Sequence, residues 1–330
     1  MLNVVVTGGA GFIGSHVVER LLNENCSVRV IDNLSTGRQD LVDLFVKNPN
    51  YKFTCGDIND LAATEKAYLG ANWIIHLAAL ADIVPSIERP VEYHKANVDG
   101  TVTVMEMARK YKVKRVVYAA SSSCYGIPGT YPTPETQAAA PQYPYALTKY
   151  LGEQIVMHWG RLYNIPSVSL RFFNVYGPRS RTSGTYGAMF GVFLAQKIHG
   201  KPFTVVGDGT QSRDFTYVTD VVDAIWTAAK SDLQNEIFNV GSSGHYSINR
   251  LVELLGGGEI QYIPKRPGEP DITFADVNKI KAKLGWTAKV SIEEGVRQLL
   301  ANIDYWMSAP VWTPDKIKTA TQKWFEYLGK

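Results

Sequence analysis

Thr7-Gly8-Gly9-Ala10-Gly11-Phe12-Ile13-Gly14 follows directly on the apolar run Leu2-Asn3-Val4-Val5-Val6 and leads into Val17, Val18, Leu21 and Leu22. That order reads as a buried strand ending in glycines spaced G-x-x-G-x-x-G, then the apolar face of a helix. The tight turn needs Gly8. A pyrophosphate can approach the backbone only where Gly11 lacks a Cβ, and Gly14 lets the helix pack on the strand. The first turn of the helix, with Phe12 and Ile13, offers unpaired N–H groups and a positive dipole end to phosphate. An ordinary strand-to-helix turn could carry the same glycines, so the acid that closes the next apolar run, Val28-Arg29-Val30-Ile31-Asp32, decides the reading. A carboxylate at the tip of strand two accepts hydrogen bonds from an adenosine ribose and repels a 2′-phosphate. The expected cofactor is NAD, not NADP.

Working outward, apolar strands alternate with helical stretches up to about residue 171. Tyr51 to Cys55, Trp73 to Leu77, Arg115 to Ser121 and Ser167 to Arg171 are the further strands, with amphipathic Val98 to Tyr111 and Tyr145 to Tyr163 between them. Parallel neighbours need a crossover helix, so this alternation predicts an α/β fold, a Rossmann-type doubly wound parallel sheet. Beyond Asn174 the texture changes. Gly177, Pro178, Gly184, Gly187, Gly207 and Gly209 punctuate shorter elements, and a smaller C-terminal α/β substrate lobe is expected over residues 175–330. The helix Val221 to Ala229 and the strand Ile237 to Val240 lie in a segment, 213–241, that should return to the 1–174 domain.

Bulk properties exclude several functions. Thirty-four basic and 31 acidic residues are well mixed and give a net charge of +3; no basic run or aromatic-basic stripe argues for nucleic acid. Cys26, Cys55 and Cys124 are odd in number and widely spaced, as reduced thiols are, and no metal site is expected. With no signal-like start and no membrane-spanning apolar run, a cytoplasmic protein without membrane contact is expected.

Tyr145 and Lys149 sit four apart at the start of a helix, so both project from one face. An ammonium beside a phenol favours phenolate, which can take a proton from a sugar hydroxyl while hydride leaves the same carbon. The pattern alone also fits a solvated helical pair. Ser121-Ser122-Ser123-Cys124-Tyr125-Gly126 ends a central strand, where a hydroxyl could hold the reacting oxygen; serines there also suit a turn.

Taken together, the chain resembles the extended short-chain dehydrogenases/reductases of the nucleotide-sugar epimerase/dehydratase family. The resemblance rests on the T-G-G-A-G-F-I-G start, Asp32-Asn33, Gly56-Asp57, His76-Leu77-Ala78-Ala79, Asn97, Ser121 with Tyr125-Gly126, and Tyr145 with Lys149. It continues through Arg171 to Pro178, Arg213-Asp214-Phe215 and Arg266-Pro267-Gly268-Glu269. It implies Tyr145 as acid/base, Lys149 as its tuner and a ligand of the nicotinamide ribose, and Ser121 on the reacting oxygen. Asn33, Ser35, Gly37 and Asn97 would join Gly8, Gly11, Phe12, Ile13, Gly14 and Asp32 around the cofactor. Asp57 and Ile58 would flank adenine, and Leu77, Ala78 and Ala79 would line the diphosphate and ribose. Ser122, Ser123, Asn174, Arg213, Arg266, Glu269 and Thr273 would meet the substrate. Read blandly, Arg213 is a salt bridge to Asp214, and Glu269 a solvated loop acid.

Dehydratases of that family carry Asp-Glu after the serine or threonine, and decarboxylating relatives a glutamate. Ser122 and Ser123 supply no carboxyl to protonate a leaving hydroxyl or pull a C5 proton. The expected activity is therefore a nucleotide-sugar 4-epimerase acting on a UDP-hexose by transient oxidation at C4. A reductase, a 4,6-dehydratase or a non-catalytic dinucleotide-binding scaffold are the alternatives. In the epimerases that the chain resembles, the residue seven positions after the diphosphate arginine controls room for a 2-acetamido group, which a tyrosine excludes; here that position is Thr273, which the resemblance implies leaves room. Asp82 reads slightly better as an exposed loop residue than as a sugar contact, and Cys124 as a packed thiol. The aromatic-rich stretch after Asn302 extends past the usual family core. Helices 97–111 and 145–163 would form a homodimer interface, although Val102, Met105 and Ala108 could equally face the sheet.

Overall fold

The computed structural model describes residues 1–181 and 189–329; Gly184 and Gly187 lie outside the described residues. Its centre is a sheet of seven strands. Six of them are β1 (Asn3–Thr7), β2 (Ser27–Asp32), β3 (Tyr51–Cys55), β4 (Trp73–His76), β5 (Arg115–Ser121) and β6 (Ser167–Phe172). The seventh is β7 (Glu236–Val240). The spatial order is β7-β6-β5-β4-β1-β2-β3, and every pairing is parallel. Val4, Val5, Val6, Val116 and Leu170 are wholly buried, as strands covered on both faces must be. The order of strands reverses at β1, between β2 and β4, which opens a crevice beyond the carboxyl ends.

The helices that cover this sheet come from the stretches with 3.6-residue periodicity. They are α1 (Phe12–Asn23), α3 (Gly100–Lys110), α4 (Pro144–Leu162) and α6 (Val218–Lys230), while α2 (Ile83–Glu88) packs on α4 and α5 (Met189–Ile198) belongs to the lobe. On one face Val17, Val18 and Leu21 of α1 pack with Val221 and Ile225 of α6 against Val4, Val6 and Val168. On the other, Val104, Met105 and Ala108 of α3 and Val156 and Met157 of α4 cover Val5, Ile74 and Tyr118. Met105 and Ala108 thus face the sheet, while Leu147, Leu162 and Tyr163 at the two ends of α4 are exposed. The strand at 237–240 joins the sheet as its edge member, next to β6. A separate apolar core, with Phe190, Phe193, Phe203, Leu251 and Trp306, builds the lobe above the sheet's carboxyl edge. Helix α3 starts two residues later than its periodicity implies. Lys95–Asp99 form a wider turn before it, placing Asn97 inward.

Candidate active site

A cleft of about 720 Å³ runs over the carboxyl ends of β1, β2, β4 and β5 and under the lobe. It is within the range of small-ligand and cofactor sites.

Its first end is made of backbone. Gly8 has φ +74°, and a Cβ there would lie 2.6 Å from the amide nitrogen of Ala78, on the neighbouring strand's loop. A Cβ on Gly14 would meet the Gly8 carbonyl oxygen at 2.1 Å. Side chains are excluded at both positions, so helix α1 starts flush against the strand end. Gly11 is different. Its Cβ would meet nothing closer than the Gly8 oxygen at 3.3 Å, so the missing side chain leaves room on the cleft side. This is the cradle a diphosphate requires, and the residues present fit a dinucleotide. Asp32 is buried. Its carboxylate accepts from the Ala10 and Leu34 amides at 3.0 and 2.8 Å and keeps lone pairs for ribose hydroxyls. Burial pushes its pKa up and those two amides pull it back. Asn33, Ser35, Asp57, Ile58, Leu77, Ala78 and Ala79 line the same end.

Three of the predicted residues stand behind the wall: Gly37, Asn97 and Lys149 are not part of the lining. A Cβ on Gly37 would lie 2.7 Å from an Asp32 oxygen, so this glycine lets the loop close on the acid. Asn97 exchanges hydrogen bonds with the Leu80 backbone (2.8 and 2.9 Å) and donates to Thr148 Oγ1 (3.0 Å). It holds the loop after β4 against the helix that carries Tyr145.

The middle of the cleft is where β5 ends and α4 begins. Pro144 occupies the first turn of α4, where its missing N–H costs nothing, and Tyr145 follows it into the cleft. Burial raises the Tyr145 pKa; a hydrogen bond with Ser121 lowers it, and the Asp82 carboxylate raises it. Ser121 Oγ also lies 2.8 Å from Ser123 Oγ and accepts from the Ser123 amide at 3.2 Å. Lys149, one helical turn on, is buried with its ammonium 4.3 Å from the Tyr118 ring centroid. Burial pulls its pKa down to about 7, and the Glu153 charge opposes that. Ser122 and Ser123 line the cleft beside Ser121. Cys124 is packed and buried, and burial pushes its thiol up to about 12.

Behind the reacting centre lies a network that the sequence reading missed. Glu153 accepts from Arg171 at 2.5 and 2.9 Å and from Ser169 Oγ at 2.9 Å. Arg171 Nη1 donates to the Tyr125 hydroxyl at 2.9 Å, which donates to Asn239 at 2.6 Å. All of it is buried. The signal was available: Tyr145, Lys149 and Glu153 follow one another at intervals of four on one helix face.

The other end carries charge. Asn174 begins a short strand, Asn174–Tyr176, paired with Phe215–Tyr217. Arg213 precedes the second of these. Its partner is not Asp214. That acid is buried, accepts from the Ser242 and Ala275 amides and the hydroxyls of Ser242 and Thr216, and is raised to about 6 by burial. Arg213 instead faces Glu269 at 3.7 Å, and Arg266 bonds the same carboxylate at 3.2 Å. Glu269 is thus a paired, half-buried acid rather than a solvated one. Thr273 Oγ1 donates to Asn174 Oδ1 (2.9 Å) and accepts from the Asp214 amide (3.1 Å). Asp82 also departs from expectation, since it lines the cleft and pairs with Arg181 at 2.7 Å. Among the described residues no cluster of His, Cys, Asp or Glu could hold a metal, and no helix is long and apolar enough to cross a membrane.

Comparison with known proteins agrees with this geometry. The model of the "NAD dependent epimerase/dehydratase family" matches residues 4–241. A UDP-glucose 4-epimerase of Mycolicibacterium smegmatis is 33% identical over 302 residues, 89% of this chain and 96% of that protein. The structure of UDP-glucose 4-epimerase from Thermotoga maritima with UDP-glucose superposes with a TM-score of 0.85. It is 34% identical and covers 92% of this chain and 98% of its own. UDP-N-acetylglucosamine 4-epimerase from Methanobrevibacter ruminantium, in complex with UDP-N-acetylmuramic acid, reaches a TM-score of 0.86 at 32% identity, covering 93% and 98%. With the glycine cradle, Asp32 and the Tyr145 centre in one cleft, this chain belongs to the NAD dependent epimerase/dehydratase family and is an NAD-dependent enzyme.

Proposed function

We propose that the chain is a UDP-hexose 4-epimerase, and that one observation carries the choice of reaction. The wall around the Tyr145 hydroxyl offers hydroxyls, from Ser121, Ser122 and Ser123, where elimination or decarboxylation chemistry would want a carboxyl group. The acid nearest by charge, Asp82, is already tied to Arg181.

NAD, which the Gly8–Gly14 cradle and Asp32 would hold, would supply reversible hydride acceptance at the sugar's C4. Tyr145 holds and moves the proton of the sugar's 4-hydroxyl at its phenolic oxygen. Ser121 donates to that same sugar oxygen and positions it. Lys149 lies one turn along the same helix face and would favour phenolate over phenol in its charged form, although burial lowers its pKa to about 7. The Glu153–Arg171–Tyr125 network fixes the helix and the strand end relative to each other, so these groups need no reorganisation during the reaction. Arg213 and Arg266 would grip the UDP diphosphate, an anion that a guanidinium fork matches bidentately, and Glu269 its ribose. Asn174 would join the arginines on the diphosphate, and Thr273, which bonds it, would face the sugar. Thr273 is small, which leaves space for a 2-acetamido group. Asp32, with its lone pairs turned to the ribose, selects NAD over NADP.

We further propose a cytoplasmic homodimer. Exposed Leu147, Leu162 and Tyr163 on α4 and Val91 beside it support a helical interface.

Purified protein incubated with UDP-glucose, UDP-galactose and their N-acetyl counterparts should interconvert C4 epimers, read by NMR, without net NADH. Tyr145→Phe should retain NAD and lose about two to four decades of turnover, the usual contribution of a general acid/base. Release of a keto sugar or stoichiometric NADH would replace this reading by a dehydratase or a reductase.

A further inference from the structure

The segment after Asn302 is not an appendage. Trp306 is wholly buried in the lobe core with Ala309 and Ile317. Next to it, the Tyr305 hydroxyl donates to the Ser180 carbonyl at 3.0 Å and its ring lies under the Arg38 guanidinium at 5.2 Å, beside the cofactor end. Buried Gln196 donates to the Trp312 carbonyl at 2.8 Å. Two short helices follow, α7 (Pro314–Ala320) and α8 (Gln322–Leu328). Helix α8 packs on α2, in the loop region after β4. The segment therefore runs from the lobe across to the first domain, along the mouth of the cleft.

Trp324 is the point where it touches the charged end. It is 3% exposed and lines the cleft. Its Nε1–H donates to the Pro267 carbonyl at 2.7 Å, and its ring lies 5.3 Å from the Arg266 guanidinium carbon. The ring of Tyr143, two residues before Tyr145, is 6.4 Å away. Arg266 is thus bounded by an indole face on one side and the Glu269 carboxylate on another, in a turn whose Gly268 has φ +74°. A left-handed glycine turn is loose unless something fixes it. An arginine fork recognises a diphosphate only in the right orientation.

We propose that Trp324 is a positioning residue for substrate binding. Through it the C-terminal strap holds the Arg266–Glu269 turn in the orientation that grips a nucleoside diphosphate. This rests on reading the charged end as the diphosphate site, and UDP itself is the probe. By titration, Trp324→Ala should weaken UDP binding at least tenfold, and KM for UDP-glucose should rise more than kcat falls. NAD occupancy should not change. Trp324→Phe, which keeps a ring over the guanidinium, should recover most of the loss. Two results overturn the proposal: folded Ala and Phe variants that bind UDP within twofold of the parent, or a Trp324→Ala variant that loses NAD and UDP together. A parent protein that binds UDP without epimerising UDP-hexoses refutes the reaction but leaves the Trp324 test standing. A parent that does not bind UDP refutes both.

Discussion

At the Gly8–Gly14 end of the cleft the wall is backbone, held so closely that a Cβ on Gly14 would be 2.1 Å from a carbonyl oxygen. At the Arg213–Glu269 end it is side chains, with two guanidiniums sharing one carboxylate across a 53-residue gap in the chain. The first arrangement recognises a diphosphate by shape and by the helix N-terminus. The second, in the function proposed here, would recognise it by charge and by the orientation of forks. A backbone cradle tolerates little variation and serves a cofactor that stays the same. A side-chain grip can be retuned one residue at a time, which suits a substrate that must enter and leave at every turnover.

That contrast can be broken experimentally. The largest effect is expected at the backbone end: Gly14→Val should cost about 3 kcal/mol, the upper range for overpacking. The purified protein should also lose its NAD, read by thermal melts and by cofactor release on denaturation. A variant of normal stability with full NAD would show that the cradle is not steric. At the other end, Arg213→Ala should leave NAD and melting temperature nearly unchanged while raising KM for UDP-sugars about 30- to 100-fold. That corresponds to about 2–3 kcal/mol for one partner of a desolvated charge contact. Equal loss of NAD in this variant would mean the ends are not separable.

Thr273→Tyr sharpens the comparison within the substrate end. It should depress turnover of acetamido sugars about tenfold or more, since overfilling costs about 1–3 kcal/mol, and spare plain hexoses. The structure adds that Thr273 also bridges Asn174 and the Asp214 amide, so an equal fall for both sugar types would identify it as a brace.

A pH-dependent test of the buried machinery between the two ends concerns Lys149. Burial lowers its folded pKa to about 7 from an unfolded value of 10.5. Between those two pH values the unfolded chain carries the extra proton, so stability from this group rises with pH and is lowest below about 7. Lys149→Met should therefore raise the melting temperature more at pH 6 than at pH 10, even as activity falls. An increment independent of pH would mean that the ammonium is not the destabilised form.

Much of the cofactor end was legible because it is local. A strand, four residues of turn and a helix contain their own spacing, and Asp32 lies at the end of the next strand. The helical period put Tyr145 and Lys149 on one face, but only the serines at the end of β5 and the surrounding motifs set them apart from a solvated pair. The sequence alone thus determined the sheet and the cofactor class, and it singled out Ser121, Tyr145 and Lys149, the trio to which the proposed chemistry is assigned. Only the tertiary structure decided the partners. Arg213 turned to Glu269 because Asp214 is buried among amide and hydroxyl donors from residues 216, 242 and 275. Asp82 met Arg181, and Asn97 and Gly37 moved behind the wall as braces. Trp324 reached the cleft from far down the chain. Periodicity records which face of an element is apolar, but side-chain charges pair according to distance after folding, and that distance is set by how the lobe and its strap close over the sheet.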